Sequence, residues 1–128
     1  MGRVETREEL FKLVFEYSLV KEKNELFLED ILSNNKIDKD YLVGAYQGII
    51  DNYDALTEEI ATYTKGYNKD RIYKIDLALL MVALYEIKFI ESIPVAVSIN
   101  EALTLAKKYS TEKSSGFING VLASLVKK

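Results

Sequence analysis

The sequence predicts an all-α fold of about seven helices, on the basis of three observations. The 128 residues include one proline and six glycines, so few positions break a helix. No segment sustains the apolar–polar alternation of a strand. Apolar residues instead recur three and four positions apart, as they do on one face of a helix. A chain of this length with short polar joints corresponds to one helical domain, residues 1–128, with antiparallel neighbours.

Capping signals predict where the first three helices begin. Residues 6–9, Thr-Arg-Glu-Glu, fit a capping box, so we expect the first helix to begin near Thr6, after a mobile tail that carries Arg3. The second helix is expected to begin near Asn24 and to end at Ser33. Asp38 is expected to cap the third helix.

The later helices are delimited by glycine, proline and hydroxyl residues. We expect the fourth helix to end near Gly66 and the fifth to begin by Asp70. The fifth helix is apolar nearly all round, which predicts that it is the central one. Pro94 opens the sixth helix, and Ser110 or Thr111 caps the seventh.

Two glycines, Gly44 and Gly48, lie four residues apart in the third helix. Glycine weakens the interior of a helix. We therefore interpret the pair as the place where another helix approaches closely, rather than as a membrane dimerisation motif.

The composition excludes several classes of function. Lys and Arg number 17 and Asp and Glu number 20, so the net charge is −3, and binding of nucleic acid would need a local basic patch or a partner. The chain has no Cys and no His, which excludes disulfides, thiol nucleophiles and His-containing triads within one chain. We expect no metal and no cofactor, because no calcium-binding loop and no Gly-rich phosphate motif are present.

The sequence also favours a cytoplasmic protein. No apolar run follows a basic start, so no signal peptide is indicated. The longest apolar run, residues 77–85, is far short of the roughly 20 residues that a membrane helix needs. The lack of Cys is consistent with this location.

Three acidic residues lie in strongly apolar surroundings: Asp76, Glu86 and Glu101. Such a carboxylate can have a raised pKa and act as an acid or a base. No nucleophile, set of oxyanion donors or cofactor loop accompanies these acids. We favour paired structural groups or interface residues, and predict that the protein is not an enzyme.

Two segments have residue types that could bind RNA. Residues 63–74 interleave tyrosines with Lys and Arg, as in proteins that stack bases and neutralise phosphates; we favour a polar joint with inward tyrosine rings. Residues 110–117 combine hydroxyls, Lys113 and free amides at a helix start, with Phe117 at the edge. From the residue types alone, a simple helix cap explains this joint.

Three blocks in the second half of the chain carry a family pattern. They are Ala83-Leu84-Tyr85-Glu86, Asn100-Glu101-Ala102 and Phe117-Ile118-Asn119-Gly120-Val121-Leu122. In this order and spacing the chain resembles the NusB transcription antitermination family over residues 71–122, and more weakly over the first helix. The resemblance implies an all-α fold of two small packed helical bundles and a protein without a catalytic step.

The resemblance also implies a function and partners. NusB-like proteins pair with NusE, a ribosomal protein of the small subunit, and the pair binds the boxA element of nascent RNA. This helps the transcription elongation complex with RNA polymerase to resist termination, notably on ribosomal RNA operons. The alternative is a NusB-fold protein-interaction module, or a homodimer, with weak RNA binding.

The resemblance assigns roles to individual residues. The RNA surface would include Arg3, Arg7, Lys113, Ser114, Ser115 and Phe117. The surface that faces NusE would include Phe15 and Asp76. We expect Asn100, Glu101, Asn119 and Gly120 to be structural, with hydrogen bonds that lock the sixth helix to the seventh.

The chain departs from the family pattern in its cations. Its N-terminal segment has only Arg3 and Arg7, Met81 stands where the family commonly has Arg, and Gly116 often has a basic counterpart. Each lost cation removes phosphate neutralisation. We therefore expect RNA binding that is weaker and more dependent on the partner than in typical members.

Overall fold

The all-α prediction is confirmed. A computed structural model describes residues 2–64 and 72–127, and in these ranges it contains seven helices and no strand. The helices are α1 (Arg3–Val20), α2 (Glu25–Leu32), α3 (Lys39–Asp51), α4 (Tyr53–Thr62), α5 (Lys74–Phe89), α6 (Val95–Tyr109) and α7 (Glu112–Val126). None of the helices in these ranges has the length and apolar character required to cross a membrane. The predicted end of the fourth helix at Gly66 and start of the fifth by Asp70 lie outside the described residues.

Helix α5 is the centre of the fold, as its sequence predicts. It packs against α1, α3, α4, α6 and α7, and every residue from Asp76 to Leu84 is buried. A helix that is apolar all round must be covered on all sides, and each large apolar side chain removed from water contributes about 1.5–3 kcal/mol. The two ends of α5 are thereby held in fixed positions relative to five other helices.

The other helices form two packed groups around α5. Helices α6 and α7 pack on α5 and on one another, whereas α3 and α4 pack on one another and on α5. Helix α1 contacts both α3 and α5. The buried apolar side chains of both groups form one hydrophobic cluster.

Two predicted caps, Asp38 and Thr111, and the predicted start of the second helix at Asn24 are confirmed. Asn24 Oδ1 accepts a hydrogen bond from the backbone N–H of Phe27 at 2.9 Å at the start of α2. The Asp38 carboxylate accepts from the N–H of Tyr41 at 3.3 Å, and Thr111 Oγ1 from the N–H of Ser114 at 3.2 Å. Each cap satisfies an amide that has no partner within its own helix.

The predicted start of α1 is wrong, because the helix begins at Arg3. Thr6 lies within the first turns, where its hydroxyl donates to the Gly2 carbonyl and accepts from the Asp38 N–H, the latter at 2.8 Å. Arg3 also contacts Asp38, with Nη2 2.8 Å from Oδ2. The segment expected to be a tail is therefore helical and is held against the start of α3.

The interpretation of the two glycines is confirmed for Gly48 and wrong for Gly44. A Cβ atom on Gly48 would lie 2.2 Å from Tyr85 Oη and 2.6 Å from two ring carbons. The Tyr85 ring is held in turn against Phe89, with ring centroids 4.9 Å apart. A Cβ atom on Gly44 would meet nothing within 4 Å, because Gly44 lies on the exposed face of α3.

Substitution of the two glycines should therefore have opposite effects. Gly44→Ala should raise the free energy of unfolding by up to about 1 kcal/mol, because alanine is the better helix former. Gly48→Ala should lower it by about 1–3 kcal/mol, because the new methyl group overpacks against Tyr85. Urea unfolding of both variants measures this, and an equal gain in stability at both positions would contradict the close packing at Gly48.

Candidate nucleic-acid interface

A buried carboxylate fixes the joint between α6 and α7. Asp76, in the first turn of α5, accepts hydrogen bonds from Ser110 Oγ at 2.8 Å and from Ser114 Oγ at 2.9 Å, one on each carboxylate oxygen. The two serine hydroxyls lie 2.8 Å apart. Asp76 is only 4% exposed and Ser114 only 3%. The start of α7 is therefore tied to the start of α5.

A cavity of about 270 Å³ opens beside this cluster. It is lined by Ile72, Tyr73, Asp76, Thr111, Lys113, Ser114 and Phe117. Lys113 is exposed, and the half-buried Phe117 packs against the edge of the core. A lysine beside aromatic rings can neutralise a phosphate while an unpaired base stacks on a ring.

Of the predicted RNA residues of α7, Lys113, Ser114 and Phe117 line this cavity, and Ser115 lies in the same helical turns. Lys113, Ser115 and Phe117 have exposed or half-buried side chains in the first two turns. The prediction that Ser114 lies on the RNA surface is wrong for this structure, because its buried hydroxyl donates to Asp76. Asp76 does not face a partner either, since both of its oxygens accept from serines.

The other candidate RNA-binding segment is residues 63–74, of which residues 65–71 lie outside the described residues. The expectation that its tyrosine rings pack inward is wrong for Tyr73, which is 64% exposed and borders the cavity. Tyr63 packs against the core as expected.

The two N-terminal arginines have different positions. The side chain of Arg3 is 41% exposed; it pairs with Asp38, and its Cζ lies 4.4 Å from the centroid of the Tyr41 ring. Arg7 is buried, with Nε 2.7 Å from Glu86 Oε2. The prediction that Arg7 contacts RNA is wrong for this structure, because its guanidinium lies in the interior.

Glu86 is fully buried and accepts hydrogen bonds from three other helices. Besides Arg7 on α1, its donors are the Tyr41 hydroxyl on α3 and Ser98 Oγ on α6, the latter at 2.6 Å. Burial alone would lower the pKa of Arg7, but the hydrogen bond and charge of Glu86 raise it. Burial, followed by the charge of Glu86, raises the pKa of the Tyr41 hydroxyl. The interpretation of Asp76 and Glu86 as paired structural acids is thus confirmed.

The predicted lock between α6 and α7 is wrong. Asn100, Asn119 and Gly120 are exposed, and in the described part of the chain the amide side chains of the two asparagines make no hydrogen bond. Glu101 contacts α1 instead, with Oε1 3.9 Å from Arg7 Nη1. Asn100, Asn119 and Gly120 lie on the outer faces of their helices, and the apolar residues next to them in the sequence face the core.

Phe15, the other predicted partner contact, lies half-buried at the end of an aromatic row. Its ring centroid is 6.4 Å from that of Phe11, which is 5.1 Å from that of Tyr109. Beside this row, Glu8 accepts hydrogen bonds from Lys108 Nζ at 2.7 Å and from the Tyr109 hydroxyl. The end of α6 is thereby joined to α1. No local signal in the sequence points to this contact, because its members are about 100 residues apart.

Comparison with known proteins assigns the family. The NusB family model matches residues 4–127. The chain belongs to the NusB family. A relative named transcription antitermination protein NusB from Clostridium kluyveri is 37% identical, over 99% of this chain and 96% of its own. Its namesake from Acetivibrio thermocellus is 38% identical, over 99% and 90%.

A solved NusB-family structure has the same fold. T. maritima NusB superposes with a TM-score of 0.90 and 31% sequence identity, covering 100% of this chain and 92% of its own. Against the NusB pattern, Met81 in place of the common arginine is fully buried. Met81 therefore belongs to the hydrophobic core of this chain.

The buried ion pair between Arg7 and Glu86 can be tested by substitution. Arg7→Met should lower the free energy of unfolding by about 3–5 kcal/mol, because it leaves the Glu86 charge buried without its cation. Adding Glu86→Gln should recover part of this loss, because a neutral amide oxygen still accepts hydrogen bonds. Glu101→Ala is the control; its contact with Arg7 is long and partly exposed, so we expect a loss below about 1 kcal/mol. An Arg7→Met variant as stable as Glu101→Ala in denaturant unfolding would contradict this role.

The Glu8 contact gives a test by pH. Hydrogen bonds from Lys108 and Tyr109 lower the pKa of Glu8 in the folded chain. The stability from this contact is therefore complete above the unfolded pKa of about 4.3 and is lost as the pH falls through the lower folded value. Unfolding free energy should consequently fall less steeply below about pH 4 in Glu8→Gln than in the wild type. If the unfolding free energy falls with equal slope below about pH 4 in the two proteins, the contact adds no stability.

Proposed function

We propose that this NusB-family chain is a transcription antitermination factor that binds the boxA element of nascent RNA together with NusE. Family membership over residues 4–127 is the observation that carries the proposal. The names of the relatives from Clostridium kluyveri and Acetivibrio thermocellus agree with it. The protein would work in the cytoplasm as an adaptor in the elongation complex with RNA polymerase, without a catalytic step.

The start of α7 is the RNA-binding surface in this proposal. The Phe117 ring, at the edge of the cavity, offers a platform on which an unpaired base can stack, and Lys113 can neutralise the adjoining phosphate. Ser115 adds a hydroxyl in the same helical turns. Arg3 is the N-terminal cation that remains partly exposed. Ser114 would support this surface from inside, through its hydrogen bond to Asp76, whereas Arg7 is paired with Glu86 at the other end of α5.

The charges explain why RNA binding would depend on a partner. The net charge is −3, and Arg3, Arg7 and Lys108 are each paired with a carboxylate. Neutralisation of phosphates supplies a large part of the affinity of proteins for nucleic acids. We therefore expect NusE to contribute much of the positive charge, and place its contact at Phe15, where the aromatic row reaches the surface.

A titration of labelled boxA RNA tests the proposal. The wild type should bind weakly alone and more tightly in the presence of NusE. Phe117→Ala should weaken binding about 5-fold to 150-fold, because stacking on one base is worth about 1–3 kcal/mol. Lys113→Ala should reduce the slope of log K against log salt concentration by about one.

Lys127→Ala is the matched control for Lys113→Ala. Lys127 is exposed at the other end of α7, about 20 Å along the helix, so its loss should leave RNA affinity unchanged. An equal loss at Lys113 and Lys127 would remove the start of α7 from the binding surface. Binding of NusE without any effect on RNA would replace the proposal with that of a protein-interaction module, and self-association alone would indicate a homodimer.

A further inference from the structure

We propose that Asp76 is a positioning residue for RNA binding, which holds the first turns of α7 through Ser110 and Ser114 and so places Phe117 and Lys113. The inference rests on the proposed function, and adds a buried residue that touches no RNA. Asp76 lies 34 residues before Ser110 and 38 before Ser114. It therefore connects the central helix to the RNA-binding segment from a distant part of the chain.

The geometry makes Asp76 specific to the start of α7. Its two oxygens accept from Ser110, the residue that follows α6, and from Ser114 in the first turn of α7. The Ser114 amide also donates to the Thr111 cap. Both the position and the rotation of the helix start are thus fixed relative to α5.

This constraint reaches Phe117 through the helix itself. Phe117 follows Ser114 by three residues, so the two side chains lie on neighbouring positions of one helical face. Lys113 directly precedes Ser114. A rotation of the first turn that breaks the serine contacts would move both Phe117 and Lys113 relative to Ile72 and Tyr73, which line the same cavity.

The carboxylate is the group that this arrangement requires. An ionised Asp side chain only accepts, and can take a hydrogen bond from a hydroxyl on each oxygen. In an Asn side chain an NH₂ group replaces one of the two oxygens, so one of the two serine hydroxyls faces a donor in place of its acceptor. Asp76→Asn therefore changes the contacts with almost no change in side-chain volume.

Ser98 offers a matched control for Ser114. Both serines are buried, at 1% and 3% exposure, and both donate to a buried carboxylate of α5. Ser98 contacts Glu86, at the opposite end of α5 from the start of α7. Ser98→Ala and Ser114→Ala therefore remove the same kind of hydrogen bond, but only Ser114→Ala affects the proposed RNA-binding segment.

The decisive experiment measures boxA RNA affinity of the chain in complex with NusE. Asp76→Asn and Ser114→Ala should each weaken binding at least about fivefold. Ser98→Ala should bind like the wild type, although its melting temperature should fall about as much as that of Ser114→Ala. In a double-mutant cycle, Phe117→Ala should weaken binding less in the Asp76→Asn background than in the wild type, because the ring is already displaced. Equal losses for both serine variants, or effects of Asp76→Asn and Phe117→Ala that simply multiply, would overturn the inference.

Hydrogen exchange supplies a readout that does not need RNA. The amides of residues 114–117 should exchange faster in Asp76→Asn than in the wild type, and at the wild-type rate in Ser98→Ala. Unchanged exchange in Asp76→Asn overturns the positioning role whether or not RNA binds. Absence of wild-type RNA binding with NusE, by contrast, overturns the proposed function and with it the role of Asp76 in RNA binding.

Discussion

The fold depends on the burial of one charge, the carboxylate of Glu86. A fully buried carboxylate costs several kcal/mol of desolvation, which is offset only when donors of good geometry surround it. Here the donors come from α1, α3 and α6, and the acceptor from α5. Apolar side chains would pack in many similar arrangements. The four helices must instead meet in the one arrangement that brings Arg7, Tyr41 and Ser98 to the same carboxylate.

Asp76 is a second buried carboxylate of α5, at the other end of the helix, and its hydrogen bonds hold a different part of the fold. It lies ten residues, or about 15 Å, before Glu86 on the same helix. Glu86 holds helices of both packed groups, whereas Asp76 contacts only the joint between α6 and α7. Because α5 is buried along most of its length, it is a rigid reference for both contacts. The surface proposed to bind RNA is therefore positioned from the interior, by residues that lie behind it.

The sequence allowed prediction of features that depend on nearby residues. Asp38 and Thr111 are predicted as caps and Asn24 as the start of a helix, and each accepts from an amide three residues ahead. Thr6 was misinterpreted as a cap because its partner, Asp38, lies 32 residues away. Arg7 was assigned to the surface for the same reason, since Glu86 is 79 residues away.

Asn100 and Gly120 were misplaced for a geometric reason. Each lies two residues, or about 200°, around the helix from the buried residues Ser98 and Ile118. A polar residue among apolar neighbours in the sequence can therefore face solvent. The residue pattern around Asn100 and Gly120 indicates the family, but it does not indicate which contacts these residues make.

The charge pairs determine how this chain can contribute to RNA binding. Arg3, Arg7 and Lys108 are paired with carboxylates that hold α1 against α3, α5 and α6, so cations that could neutralise phosphates instead stabilise the fold. Stacking on Phe117 does not involve counterion release, and so depends little on salt. Binding by the chain alone should then have a shallow salt dependence, and the steeper dependence expected of the complex would report the cations of the partner. In this division of roles, the chain supplies a rigid surface that orients the bases and the partner supplies most of the attraction to the phosphates.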